Sequence, residues 1–204
     1  VEYRIKFPEQ IDERYERIGN KILEKYELKV IRDMPKKEFI SKYGEDIFDL
    51  VDEGYGALYG TVPFSKKTRQ LILSQFGLAL NTDLMALVVD KDDKPVAFAL
   101  TLPSLSKALV GSGGHLYPHT IIKLLKAIKK PKDIDFALVA VKDEYLHKGL
   151  NGVIFNELMH RFLKMGIGYC ETNLNLEDNI AVQNMWHNYE REQHKRRRSY
   201  HKSI

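Results

Sequence analysis

Residues 139–152, Val-Ala-Val-Lys-Asp-Glu-Tyr-Leu-His-Lys-Gly-Leu-Asn-Gly, have the types and spacing that could bind a phosphate. They join an apolar, β-branched run (136–141) to a helical pattern made by Val153, Ile154, Leu158 and Phe162. A strand, a glycine-containing turn and a helix N-terminus leave backbone N–H groups unpaired, and the helix dipole adds positive charge. Because Gly149 and Gly152 lack a Cβ, a diphosphate can approach the backbone closely there. Such a turn also occurs without any ligand, so both interpretations stay open at this point.

The segment from Val141 to Asn151 resembles the acyl-CoA-binding segment of the GNAT N-acetyltransferase superfamily, whose pattern is V-x-P-E-Y-(R/Q)-x-x-G-x-(G/A). Four positions match this pattern: Val141, Glu144, Tyr145 and Gly149. Three positions depart from it: Asp143 replaces Pro, Leu146 replaces Arg or Gln, and Asn151 replaces the second Gly or Ala. The resemblance implies a diphosphate gripped by backbone amides, and a Cβ at Asn151 would crowd it.

The resemblance also implies a co-substrate, acetyl-CoA or another acyl-CoA. Its pantetheine arm is expected to pair with the backbone of Val139 and Val141, where an N–H group could polarise the thioester carbonyl. The cofactor-binding residues expected beyond these two strand positions are His147, Lys148, Gly149, Leu150, Asn151, Gly152 and Asn179. Asn179 begins a stretch that resembles the family's N-x-x-A-x-x-L-Y segment.

Transfer of an acyl group to an amine needs a base for the incoming ammonium and an acid for the leaving thiolate. The family's usual acid is a tyrosine on the last helix, but the matching residue here is Trp186, which is no useful proton donor. Tyr189 lies one helical turn further on and is the expected acid. Glu171 is the candidate base, with a surface carboxylate or a partner for the basic tail as the alternative, and Glu177 is a plausible helix-entry charge.

Composition limits the remaining classes of function. The chain has 204 residues, a formal net charge of +4 and one cysteine, Cys170, so it has no internal disulfide and we expect a cytoplasmic protein. No apolar run is long enough to cross a bilayer and no signal peptide is evident, so no membrane partner is expected. We also predict no metal site, and we interpret the acidic residues of 90–94 as a solvated turn.

The positive charge is concentrated at the C-terminal end, since residues 190–204 contain six Lys or Arg and two Glu. On a strand, the side chains of 195–198 would alternate between two faces, which is poor geometry for a nucleic-acid phosphate track. We instead expect an arginine to meet Glu171 or Glu177, or to receive an acidic substrate. His115 and His119 could line a substrate pocket, or be ordinary surface groups.

The periodicity predicts strands at 1–7, 28–31, 84–89, 95–102, 136–141, 169–176 and 195–204, and helices at 9–26, 35–53, 65–80 and 179–189, with a further helix after 152. This order resembles that of the GNAT superfamily. It implies an α/β (α+β) fold: a mixed, mostly antiparallel twisted sheet flanked by helices, whose central parallel strands splay to form a cofactor slot. We predict an N-terminal extension at 1–27 and a GNAT-like domain at 28–204 with a helical insertion at 104–130.

The C-terminal part resembles an unassigned GNAT-like group that carries E-x-N-x-x-L-E-x-N, a Trp, and H-K-R-R-R-x-Y. The corresponding stretches here are 171–179, Trp186 and 194–200. Proteins of this group look like tandem repeats of the fold. We therefore expect this chain to be a C-terminal half, with a sister domain or a second copy as partner.

Two functions follow from these observations. The first is an acyl-CoA-dependent N-acyltransferase, above all an acetyltransferase, that moves the acyl group directly to a small-molecule amine, acidic or not. The second is a non-catalytic GNAT-like domain that binds CoA or an acidic metabolite, or packs against a sister domain. Gly149, Gly152 and Asn179 favour the enzyme, whereas Trp186 and the departures in the turn favour the second function.

Overall fold

A computed structural model of the chain describes residues 1–76, 80–187 and 189–202. Its strands are β1 (Glu2–Lys6), β2 (Lys29–Val30), β3 (Met85–Val89), β4 (Pro95–Pro103), β5 (Asp133–Val141), β6 (Tyr169–Thr172) and β7 (Glu190–Lys195). Its helices are α1 (Glu13–Lys25), α2 (Lys36–Tyr55), α3 (Lys66–Phe76), α4 (Ser106–Leu109), α5 (Pro118–Lys129), α6 (Leu150–Met165) and α7 (Ile180–Met185). Short 3₁₀ turns lie at Thr82–Leu84 and Asp143–Tyr145.

Within these described residues the strands form one sheet in the order β2-β3-β4-β5-β6-β1-β7. Neighbouring strands are antiparallel except β5 and β6, which are parallel. This confirms the predicted mixed, mostly antiparallel sheet with a parallel central pair. The strand β1 lies between β6 and β7, so a segment that the sequence analysis places in an N-terminal extension is an interior strand of the sheet.

Alternating side chains of the central strands supply two separate cores, because successive residues of a strand point to opposite faces. On one face, Ala86 and Val88 of β3 pack in a cluster with α6 residues such as Ile154 and Leu158. On the other face, Leu87 and Val89 pack in a second cluster with α2 residues. The sheet is therefore covered by α6 and α1 on one side and by α2 on the other.

An ion cluster around the buried Glu157 fixes the position of α6. The side chain of Glu157 accepts hydrogen bonds from Arg32 Nη2 at 2.6 Å and from Arg161 Nη2 at 2.7 Å. Arg161 Nη1 also donates to the carbonyl oxygens of Thr82 and Met85 at 2.9 and 2.8 Å. Since these charges are paired, α6 is held against β3, and the position of its N-terminus is fixed relative to the sheet.

Several predicted elements differ from the structure in their bounds. The first helix begins at Glu13, not residue 9, because the Asp12 side chain caps it by accepting from the Arg14 N–H. The strand predicted at 169–176 ends at Thr172. The prediction of a strand at 195–204 is wrong beyond Lys195, because the last strand is β7 (Glu190–Lys195) and 196–202 is outside any strand. The helix predicted at 179–189 ends at Met185, so Tyr189 does not lie on the same helix as the residues before Trp186. The basic residues after Lys195 are exposed, and strand propensity alone could not locate them.

Candidate active site

The parallel strands β5 and β6 separate part-way along their length. They pair from Asp133 with Tyr169 to Phe136 with Thr172, and β6 then ends while β5 continues to Val141. A cleft of about 340 Å³ opens at this point, which is within the usual range for ligand sites. We call it the slot; its walls come from the second half of β5, the loop after β6, α7 and the end of α2.

The backbone of β5 faces the slot at alternate residues. Lys142 N–H donates to the Val96 carbonyl of β4 at 2.9 Å, and hydrogen-bonding residues of an antiparallel pair alternate along each strand. The N–H groups of Val141 and Val139 therefore point away from β4, toward the slot. Val139 N–H donates to the Tyr55 hydroxyl oxygen at 3.3 Å, so one of these two groups already has a side-chain partner.

Tyr55 is the last residue of α2, and the sequence analysis did not select it. Its ring lines the slot, and burial raises the pKa of its hydroxyl although the hydrogen bond from Val139 acts in the opposite direction. The hydroxyl is therefore protonated at neutral pH, and its hydrogen remains available for donation because its oxygen accepts from Val139. The neighbouring Gly54 packs on β5, where a Cβ on it would lie 3.5 Å from Ala140 Cβ, an ordinary contact distance.

The turn after β5 has a left-handed backbone at two positions, His147 with φ +63° and Gly149 with φ +85°. Gly149 is required there for a second reason: a Cβ on it would lie 2.8 Å from Ile22 Cδ1 of α1. Gly152 differs, because no atom lies within 4 Å of the place its Cβ would occupy. The space for a diphosphate is thus beside Gly152, whereas the side of Gly149 that lacks a Cβ is covered by α1.

Five backbone N–H groups at the start of α6 have no hydrogen-bond acceptor among the described residues: those of His147, Gly149, Leu150, Asn151 and Gly152. The amide of Lys148, also predicted to contact the cofactor, differs because it donates to the Tyr145 carbonyl at 3.2 Å. Its ammonium group lies 4.9 Å from the Tyr26 ring centroid and 4.8 Å from that of Tyr145. Lys148 thus links the end of α1 to the turn through these cation–π contacts. The neighbouring residues supply unpaired N–H donors at the N-terminus of α6, where the dipole of this 16-residue helix adds positive charge.

Comparison with solved structures identifies the architecture. The chain superposes on a GCN5-related N-acetyltransferase from Sphaerobacter thermophilus with a TM-score of 0.55 at 11% identity, over 93% of this chain and 48% of that one. It superposes on a possible acetyltransferase from Clostridium difficile 630 with a TM-score of 0.50 at 14% identity, over 87% of this chain and 97% of that one. This is the GNAT fold.

Comparison of sequences does not assign the chain to a family. No protein-family profile matches the chain. Protein YghO of Escherichia coli K12 is 28% identical over 162 residues, which are 76% of this chain and 41% of YghO. The chain therefore spans less than half the length of this relative, and of the Sphaerobacter structure.

Asn179 and Trp186 flank the short helix α7, which forms one wall of the slot. Asn179 Oδ1 caps the helix by accepting from Val182 N–H at 3.2 Å, and the residue also lines the slot. Trp186 is buried against the rings of Phe136 and Phe155, both with centroids at 5.1 Å and nearly perpendicular. The indole is therefore part of the slot wall, and its Nε1 has no hydrogen-bond partner among the described residues.

Tyr189, the predicted acid, lies in a second and larger cleft of about 730 Å³ beside the slot. This cleft is bounded by the segment before α1, by α6 and by the end of α7, and Asn151 lines both clefts. Burial raises the pKa of the Tyr189 hydroxyl. The structure thus brings Tyr189 close to Asn151 and Gly152, but not into the lining of the slot.

Glu171, the predicted base, is also outside the lining of the slot. Its Oε2 lies 3.1 Å from Lys195 Nζ and 3.8 Å from His194 Nε2. Glu177 pairs with both Arg196 and Arg198, and hydrogen bonds from Arg198 lower its pKa. The two acids therefore hold the basic tail, which agrees with the expectation that its arginines meet Glu177.

His115 and His119 are exposed, and their ring centroids lie 5.4 and 5.5 Å from that of Tyr117. Neither lines the slot. Within the described ranges no group of three or more His, Cys, Asp or Glu is placed to hold a metal ion. No helix in that part of the chain is long and apolar enough to cross a bilayer.

Proposed function

We propose that this chain is an acyl-CoA-dependent N-acyltransferase that binds its acyl donor in the slot. The observation that carries the proposal is the succession of two features: strand N–H groups on β5 that point away from β4 are followed, after a short turn, by five unpaired N–H groups at the N-terminus of α6. The first feature suits an extended chain with amide groups, and the second suits a diphosphate. CoA contains both, in that order. Acetyl-CoA is the simplest donor, and the acceptor is a small-molecule amine.

Each predicted binding residue has a defined part in this proposal. Val139 and Val141 would pair with the pantetheine amides through their backbone groups. The amides of His147, Gly149, Leu150, Asn151 and Gly152 would surround the diphosphate. Lys148 would act indirectly by holding the turn, and Asn179 by capping the helix that closes the slot.

The chemistry requires few protein groups. The amine nitrogen attacks the thioester carbonyl carbon, a C–N bond forms and the C–S bond breaks, the amine loses a proton and the sulfur gains one. The Val139 N–H would stabilise charge on the carbonyl oxygen once the Tyr55 hydroxyl has turned away from it. The same hydroxyl, protonated and within reach of β5, would then deliver the proton to the departing sulfur.

The roles predicted for Glu171 and Tyr189 stay open to a direct test. A Glu171→Gln variant that keeps full turnover would exclude the carboxylate as the base, and unchanged turnover in Tyr189→Phe would exclude that phenol as the acid. From their positions outside the slot we expect less than a tenfold loss of turnover in each variant, against about a hundredfold for loss of a true general acid or base.

The test of the proposal is a turnover assay with the 204-residue chain. Acetyl-CoA and longer acyl-CoA species are supplied with a panel of amines, neutral and acidic, and released thiol and acylated amine are both measured. Equal amounts of both products support the proposal. CoA binding without any acyl transfer would instead support a non-catalytic domain, or an acceptor site completed by a sister domain or a second copy.

A further inference from the structure

The insertion between β4 and β5 contains a helix with an exposed apolar side. In α5, Thr120 is buried and Leu124 half-buried against the domain. Ile121, Ile122 and Leu125 are exposed by 44%, 66% and 61%. Since residues three and four apart are neighbours on a helix, these three side chains form one continuous patch.

The patch continues into the turn that precedes the helix. Leu116 is 66% exposed and Tyr117 is 48% exposed, and Tyr117 lies one helical turn before Ile121, whose N–H donates to the Tyr117 carbonyl. Single exposed apolar residues are common on protein surfaces, but a continuous apolar patch marks an interaction surface. We call the five residues 116, 117, 121, 122 and 125 the α5 patch.

The same insertion is strongly basic, which indicates what kind of partner the α5 patch would bind. Residues 104–132 contain six lysines and no Asp or Glu, in a chain whose net charge is +4. Lys107 pairs with Asp133. The other five have no ion-pair partner among the described residues: Lys123, Lys126, Lys129, Lys130 and Lys132. A run of unpaired lysines beside an apolar stripe with a tyrosine at its edge suits a partner that is both anionic and apolar.

We propose that α5 docks on the surface of an anionic phospholipid bilayer. The α5 patch enters the boundary between headgroups and acyl chains, and the unpaired lysines bind the lipid phosphates. Tyr117, at the end of the patch, has the mixed polar and apolar character that suits the interface. The helix lies along the surface and does not cross it, which is consistent with the shortness of α5. The proposal therefore departs from the expectation of no membrane partner, which rested on the lack of a bilayer-spanning run and of a signal peptide. This inference is independent of the acyl-transfer proposal.

The test is vesicle flotation of the 204-residue chain, with phosphatidylcholine alone and with phosphatidylcholine plus phosphatidylglycerol. Binding is expected only to the anionic vesicles and should fall steeply with added salt. Lys126→Glu/Lys129→Glu should weaken it by about 25-fold or more, because each lysine near such a surface contributes about fivefold. The matched control is Lys66→Glu/Lys67→Glu, which makes the same charge change on exposed residues of α3 and should bind like the wild type.

A second pair of changes tests the apolar part. Ile122→Ser/Leu125→Ser leaves every lysine in place and should still weaken binding at least tenfold, because the exposed apolar area that enters the bilayer is lost. Thermal unfolding should match the wild type, since both side chains are exposed.

Three results would overturn the proposal. The first is no binding of the wild-type chain to anionic vesicles. The second is equal weakening by the α3 control, which would show that only net charge matters. The third is self-association that depends on Leu125 without vesicle binding, which would assign the α5 patch to a second copy of the chain.

Discussion

Gly152 offers a way to separate cofactor binding from folding. Nothing lies within 4 Å of the place where its Cβ would stand, and its φ is not in the left-handed region. The Cβ of a Gly152→Asp side chain therefore meets no other atom. A carboxylate in the first turn of α6 interacts favourably with the helix dipole, and loss of a helical glycine is favourable too, so the free energy of unfolding should rise by about 1 kcal/mol.

The same carboxylate should strongly oppose a diphosphate at the α6 N-terminus. Two unit charges about 5 Å apart in a partly buried site repel by about 3 kcal/mol at an effective dielectric constant near 20. The dissociation constant for CoA should therefore rise about a hundredfold or more. Isothermal titration calorimetry measures this change, and thermal unfolding measures the stability in the same samples.

Gly168→Asp is the matched control. A Cβ on Gly168 also meets nothing within 4 Å, but the residue lies just before β6, away from the start of α6. It should leave CoA affinity unchanged. If Gly152→Asp binds CoA as tightly as the wild type, or if both aspartates weaken binding equally, the diphosphate does not bind at this helix N-terminus and the reasoning fails.

Three further predictions concern single residues. Tyr55→Phe should lower kcat about a hundredfold while CoA affinity changes little; unchanged turnover would remove Tyr55 as the acid. Gly149→Ala should lower the free energy of unfolding by about 2–3 kcal/mol, from left-handed strain plus the contact with Ile22. In an Ile22→Ala background the same substitution should cost less, and an equal cost there would contradict the contact. Burial raises the pKa of Glu157, but hydrogen bonds from Arg32 and Arg161 outweigh this effect and lower the pKa below its ordinary 4.5. The ionised Glu157 carboxylate therefore stabilises the fold at neutral pH, and this stabilisation is lost as pH falls through the lowered pKa. Glu157→Gln should therefore be less stable than the wild type at pH 7 by about 2–3 kcal/mol, with a difference that shrinks in acid; a difference that does not change with pH would refute the linkage.

Local signals in the sequence were sufficient for most elements. The helix α6 follows from the spacing of Val153, Ile154 and Leu158, and its end from Gly166, which adopts φ +70° as a left-handed cap. The helix predicted to start at Ser65 is α3, and the Ser65 hydroxyl caps it by accepting from the Thr68 N–H at 3.2 Å. Such features depend on a few neighbouring residues, and these are visible in any single sequence.

Features that depend on distant parts of the chain were not predictable. The insertion of β1 between β6 and β7 joins the two ends of the chain, and no local pattern reports which strands pair. Tyr55 was missed for the same reason, because only the packing of α2 on β5 brings its hydroxyl to Val139. Glu171 was expected to border the slot, but the strand ends at Thr172 and its own side chain meets Lys195.

The exposed apolar residues of α5 show a different limit. Ile121, Ile122, Leu125 and Ile128 recur at helical spacing, and such a stripe normally packs against the core. Only the structure shows that Ile122 and Leu125 remain exposed. Periodicity predicts that a helix forms, but not which part of its apolar side finds a partner.

The central claim is that the slot binds CoA, and a thermal-shift titration with CoA, acetyl-CoA and a long-chain acyl-CoA tests it most directly. A ligand at a hundred times its Kd adds about 2.7 kcal/mol to the free energy of unfolding, which in a domain of this size raises Tm by about 5–10 °C. We predict such a rise for the wild type and its loss in Gly152→Asp. No rise with any CoA species at millimolar concentration would contradict the assignment of the slot as an acyl-CoA site.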